Sequence, residues 1–223
     1  MKQHILSEGN DIHVILQICT KHGLNRPKGF QSKKVFEQKF ALKNKNGEPL
    51  GKDEVLGYVD EISKTADLQA FAIVIDADKS VPSTWQSACA TLQKLGYTDL
   101  PAEIPKDGAI IVDADPDLAK VGVWIMPDNE NRGEIEDFFL QMISLNDFYL
   151  QRAKASVKEL ILEEKNLFAA SDRSKAEVHT WLAWQKDPGK SMGIAIKSNW
   201  IDHKFPLAER FARWFANVFE LEN

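Results

Sequence analysis

AlaPheAlaIleValIleAspAlaAsp, residues 70–78, is the most hydrophobic run of the chain and closes on two acids. Such a run reads as a strand buried on both faces, the habit of parallel sheets. IleLeuSerGluGly at 5–9 ends a second apolar run in the same way. Glu8, Asp76 and Asp78 are therefore expected together at the carboxyl edge of a sheet, where open α/β folds bind ligands. Acids held that close repel one another unless a cation sits between them, and hard oxygen donors select Mg²⁺ or Mn²⁺ over zinc.

Working outward, residues 11–22 place Ile12, Ile15, Leu16 and Cys19 at helical spacing, with Asn10 or Asp11 as cap and Gly23 as stop. A basic loop over 24–34, a strand over 35–42 and an Asn46-Gly47 turn follow. Val55, Leu56, Val59 and Ile62 predict a helix over 52–65, and Pro82 opens another that Gly96 closes. This β-α-β-α-β-α order favours a largely parallel sheet with helices on its faces. The runs 108–113 and 120–127 then read as a hairpin or two adjacent strands, and 132–143 as a helix with Glu134, Glu136 and Asp137 in its first turn. Helices are expected at 147–165, 174–185 and 206–221, with a loop at 187–193. The organisation is thus an α/β core over 1–145 and a helical extension over 146–223 packed on it.

The 223 residues are 43% hydrophobic, enough for a substantial core. A net charge of −5 argues against coating nucleic acid by bulk electrostatics, while leaving room for a local basic groove. Cys19 and Cys89 lie in apolar helical patterns and read as small core residues. No apolar stretch approaches the roughly 18 residues that span a bilayer, so no membrane partner is expected and the cytoplasm is the default compartment.

Glycine at position 9 allows a tight turn under a ligand, and the alternate spacing of Asp76 and Asp78 can aim two carboxylates at one centre. A second Asp-Ala-Asp, at 113–115, precedes Pro116 and reads as a polar hairpin tip. Asp128 precedes the acidic helix and could reach the same centre, but Pro-Asp-Asn is also ordinary turn and cap chemistry, and His13 and His179 lack partners at metal-ligand spacing. Lys190 and Lys197 flank or follow Pro188-Gly189 and are the candidate phosphate contacts. Trp181, Trp184, Trp200 and Trp214 fall in the last third, and the helical spacing of Trp181 with Trp184, and of Trp214 with Phe211 and Phe215, favours packing over base stacking.

Glu8-Gly9 after one strand and Asp76-Ala77-Asp78 after another resemble the Toprim domains of topoisomerases, bacterial primases, recombination proteins and overcoming-lysogenization-defect nucleases. The resemblance covers about 1–140. It implies a Toprim-like, largely parallel central sheet flanked by helices, with Mg²⁺ between the glutamate and the Asp-x-Asp. The nuclease branch adds an acid on a later helix, which Gly133-Glu134-Ile135-Glu136-Asp137 resembles, with Glu136 the closest match. The resemblance implies Glu8, Asp76, Asp78 and Glu136 as catalytic residues, and Asp11 and Asp137 as further metal ligands. Those nucleases place two residues between Glu-Gly and the next Asp, whereas Asn10 alone precedes Asp11 here. Residues 8–15, 123–129, 133–138 and 179–189 are also similar to stand-alone Toprim-related proteins of uncharacterised function.

The resemblance implies a Mg²⁺-dependent nuclease or related phosphotransfer enzyme acting on phosphodiester bonds, with a nucleic acid as one candidate substrate, or else a weak or inactive module serving a separate partner such as an ATPase. No Gly-x-x-x-x-Gly-Lys-Ser/Thr loop is present for nucleotide hydrolysis by this chain itself. A primase-like reading lacks both a zinc-binding cysteine set and a broad basic face.

Overall fold

In the computed structural model, residues 2–8, 11–24, 52–77 and 80–221 are described. The expected strand over 35–42, the Asn46-Gly47 turn, nearly all of the basic loop at 24–34, Gly9, Asn10 and Asp78 lie outside those residues. Among the described residues, β1 (Lys2–Ser7), β2 (Leu68–Asp76), β3 (Ala109–Ile111) and β4 (Lys120–Met126) form one sheet of order β1-β2-β4-β3. β1 and β4 flank β2 and run parallel to it, while β3 lies antiparallel on β4, as the hairpin expectation required.

The helices are α1 (Asp11–Lys21), α2 (Lys52–Ser63), α3 (Val81–Lys94), α4 (Ile135–Gln141), α5 (Phe148–Leu162), α6 (Arg173–Ala183), α7 (Met192–Lys197) and α8 (Pro206–Phe219). The fold is a mixed α/β structure with a mostly parallel sheet flanked by helices and a helical C-terminal region. α3 starts one residue before Pro82, because Ser80 caps it by accepting the Ser83 N–H at 3.3 Å. α7 was not expected: its six residues form too short a run to show a period, and it owes its helix to packing on α1. No helix of the described residues is long and apolar enough to cross a membrane.

Side chains alternate across a strand, so the small residues Ala70, Ala72 and Gly122 open one face of the sheet. α8 fills that space. A β-carbon at Gly122 would meet Val218 at 2.3 Å and Trp214 at 3.0 Å. Trp214 packs against Trp124 and Phe211 at ring separations of 5.5 and 5.4 Å, and its indole N–H donates to the Ala109 carbonyl at 3.0 Å. At one end of α8 Arg210 donates to the Asp128 carbonyl beyond β4, and at the other the Gln3 side chain in β1 donates to the Phe219 carbonyl. α8 therefore runs back against the parallel strands. Phe71, Ile73 and Ile75 turn to the opposite face and are equally buried.

Trp181 is also core, stacked edge-on to Phe139 at 5.8 Å and donating to Asp147 at 3.0 Å, whereas Trp184 is exposed. The packing reading holds for Trp181 and Trp214, whose helical spacing reflected burial.

Gly122→Val is expected to destabilise the protein by about 2–3 kcal/mol, because the added side chain collides with α8. Urea unfolding monitored by tryptophan fluorescence checks this; an unchanged midpoint would contradict the close approach of α8 to β4.

Candidate metal centre

The parallel register brings the acids together. Ser7 pairs with Val74 and Asp76 with Met126, so β1, β2 and β4 end at one edge. Glu8 follows β1 by one residue, and its Oε1 accepts the main-chain N–H of Asp76 at 2.9 Å. Asp11, in the first turn of α1, donates its N–H to the Glu8 carbonyl at 3.1 Å. Two residues separated by 68 positions are thus fastened directly, and α1 starts over them.

Asp76 is only 9% exposed, and its Oδ1 has no hydrogen-bond partner. Burial, then the charges of Asp11, Glu8, Glu134 and Glu136, hold its carboxyl well above the usual carboxylate range. Burial also raises Asp11, reinforced by Glu136 and Glu8 and opposed by Lys175. Glu136, buried in the first turn of α4, is raised by burial; Lys175 and its own N–H counter this, while Glu134 and Asp137 add to it. Desolvation together with like-charge repulsion is a recurrent mark of functional carboxylates.

The structure gives Asp137 a different task from Glu136. Its Oδ2 accepts the Glu134 N–H at 2.9 Å in a capping box, and its Oδ1 accepts the Ser174 hydroxyl. Gly133, at φ 143°, makes room for this carboxylate, since a β-carbon there would lie 2.5 Å from Asp137 Oδ2. With both oxygens engaged, Asp137 holds α4 in place.

Two residues absent from the expected set join the edge. Lys175 pairs with Glu134, and its ammonium is held protonated by that hydrogen bond and by Glu136 and Glu134, against the opposing effect of burial. A signal for Lys175 exists in the sequence: it is a cation in the first turn of α6, where the helix dipole disfavours positive charge. Lys190 and Lys197 are exposed, as are His13 and His179.

The other acids resolve into turns. Asp128 accepts the N–H groups of Glu130 and Asn131 at 3.0 and 2.7 Å; burial works against its ionisation, but these bonds and the Asn131 side chain hold its pKa low. Asp113 accepts the N–H groups of Thr98 and Asp115, the hairpin-tip role read from the sequence.

Among the described residues, no group of three His, Cys, Asp or Glu side chains is arranged to hold a metal ion. The donor set nevertheless fits a hard cation in chemistry: Glu8, Asp11, Asp76 and Glu136 offer oxygen alone, and Asp76 Oδ1 is buried without a donor.

A family model described as "Protein of unknown function (DUF3226)" matches residues 2–220 of the chain. No curated protein and no solved structure matches it.

Because Asp11 and Asp76 have folded pKa values above their unfolded ones, the native state binds more protons in the interval between. Stability from these groups is present below the unfolded value and is lost as pH rises through the folded one. In chelator-treated buffer the melting temperature is expected to rise as pH falls from neutrality into that interval. Asp76→Asn should flatten this slope and stabilise the protein at pH 7 by about 1 kcal/mol, or roughly 2–4 °C by calorimetry.

Proposed function

We propose that this chain, which belongs to the DUF3226 family, is a Toprim-like enzyme that cleaves phosphodiester bonds with Mg²⁺ or Mn²⁺. The observation that carries the reading is the Asp76 N–H bond to Glu8, which joins a glutamate after one parallel strand to an aspartate after its neighbour. Glu8, Asp11, Asp76 and Glu136 would hold the cation, with Asp78 beyond the described residues completing the Asp-x-Asp pair. A divalent ion there would supply positive charge to a phosphoryl oxygen and acidity to water.

The chain's own groups then divide the remaining work. Glu8 is oriented by the Asp76 N–H, so its carboxylate is set before any substrate arrives. Glu136, buried in the first turn of α4, would bring a further carboxylate oxygen to that cation. Lys175 carries positive charge to the same edge and suits an anionic substrate. The substrate class is a nucleic acid. The free thiols Cys19 and Cys89 suit a reducing cytoplasm.

A second reading, a conditionally active module working with a separate partner such as an ATPase, is favoured by one observation. The ammonium of Lys175 already pairs with Glu134 and opposes the charge of Asp11 and Glu136. In that reading a partner displaces Lys175 to switch the centre on.

Nuclease assays on single- and double-stranded DNA and RNA with Mg²⁺ or Mn²⁺ test the first reading. Glu8→Ala and Asp76→Ala are each expected to lower cleavage by about a hundredfold or more; cleavage that survives both would sink it. Absent cleavage with intact Mn²⁺ binding would favour the module. Lys175→Gln is expected to tighten Mn²⁺ binding several-fold by calorimetry, since a competing cation leaves the acidic edge.

A further inference from the structure

Ser7 closes β1, is 3% exposed, and its Oγ has no hydrogen-bond partner. A hydroxyl in a strand interior ordinarily donates to a carbonyl or a side chain, and leaving it unmet costs about 1–3 kcal/mol. An alanine or valine would complete the apolar run of β1 without that cost.

Its direction follows from the register. Residues paired across parallel strands project to the same face, and Ser7 pairs with Val74. Asp76, two residues further along β2, projects to that face as well. Val74 pairs in turn with Trp124, whose ring packs against Phe211 and Trp214 of α8. Ser7 Oγ and Asp76 Oδ1 therefore lie on neighbouring strands, on one face and at one edge, and both are buried without a partner. With strands about 4.8 Å apart and a rise of about 3.3 Å per residue, such neighbours have α-carbons about 8 Å apart, a span that two short side chains can close onto one small ligand. Asp11, whose charge acts on Asp76, stands at the start of α1 by the same edge.

We infer that Ser7 is a ligand of the divalent cation, its hydroxyl supplying a neutral oxygen beside Asp76 Oδ1. This rests on the reading of the acidic edge as a cation site. The surrounding acids make the location negative, so a positively charged occupant is favoured over a lone water. A neutral oxygen among carboxylates suits a hard cation, because it adds a bond without adding to the repulsion.

Calorimetric titration of the full chain with Mn²⁺ and Cd²⁺ tests this without reference to activity. Ser7→Ala is expected to weaken Mn²⁺ binding by about tenfold or more, and Ser7→Thr, which keeps the hydroxyl, to stay within about threefold of wild type. Ser7→Cys should shift preference towards Cd²⁺ by about tenfold, since a thiolate favours the softer ion. Unaltered Mn²⁺ affinity in Ser7→Ala, or no gain for Cd²⁺ in Ser7→Cys, would overturn the assignment while leaving the acidic site standing. If wild type binds neither ion, the cation reading fails and Ser7 with it. Circular dichroism and melting of each variant keep a folding defect from passing as lost binding, and Asp76→Asn is the control that should lose affinity while remaining folded.

Discussion

The hydrogen bond from the Asp76 main chain to the Glu8 carboxylate sets the terms for the rest of the molecule. It forms only because β1 and β2 are parallel neighbours that end at the same height, so the register of the sheet fixes the spacing of the acids. Once Glu8 is held there, Asp76 cannot leave its repulsion without breaking the strand. The repulsion is then maintained by burial beside α1, whose first residue Asp11 donates to the Glu8 carbonyl, and beside α4, which brings Glu136. Buried carboxylates of one sign destabilise a fold, and sites that keep them tend to be functional.

What holds such an edge in place is the aromatic packing behind it. Trp124, Phe211, Trp214 and Phe215 form a connected stack between β4 and α8, and each buried ring contributes stabilisation of about 2–3 kcal/mol. The stack requires small residues on the sheet, which explains Ala70, Ala72 and Gly122 within otherwise bulky strands. It also makes the C-terminal region part of the structural unit. α8 seals one sheet face, and α6 delivers Lys175 and Ser174 to the start of α4.

Much of this could be read from the residues alone, for identifiable reasons. The strand at 68–76 was legible because a run buried on both faces is apolar throughout, and α8 because Phe211, Trp214, Phe215 and Phe219 recur at helical spacing. Glu8 and Asp76 were legible because acids closing two such strands have few other places to go. The capping task of Asp137 was not read from the sequence, although at the third position of a helix, following Glu134, a carboxylate readily reaches the backbone. The pairing of Glu134 with Lys175 was missed because it spans 41 residues, and the first-turn cation that marks Lys175 does not by itself name a partner. Ser7 looked like an ordinary strand residue, and only the register shows which face its hydroxyl shares.

The balance of charge decides what the edge still requires. Asp11, Asp76 and Glu136 feel the charges of neighbouring acids, and among the described residues the ammonium of Lys175 opposes that charge at Asp11 and Glu136. At the dielectric that suits partly buried pairs, one close contact between unit charges amounts to about 4 kcal/mol before desolvation. One such contact joins Lys175 to Glu134. Burial first, and then the neighbouring acids, raise Asp11 and Asp76, while burial raises Glu136 against the opposing charge of Lys175. Protons relieve the repulsion at low pH. A divalent ion of the kind proposed above would relieve it more completely near neutrality, because its charge is doubled and it bonds several oxygens at once. Lys175 is therefore a partial counter-ion, which opposes the upward shifts of Asp11 and Glu136 without reversing them.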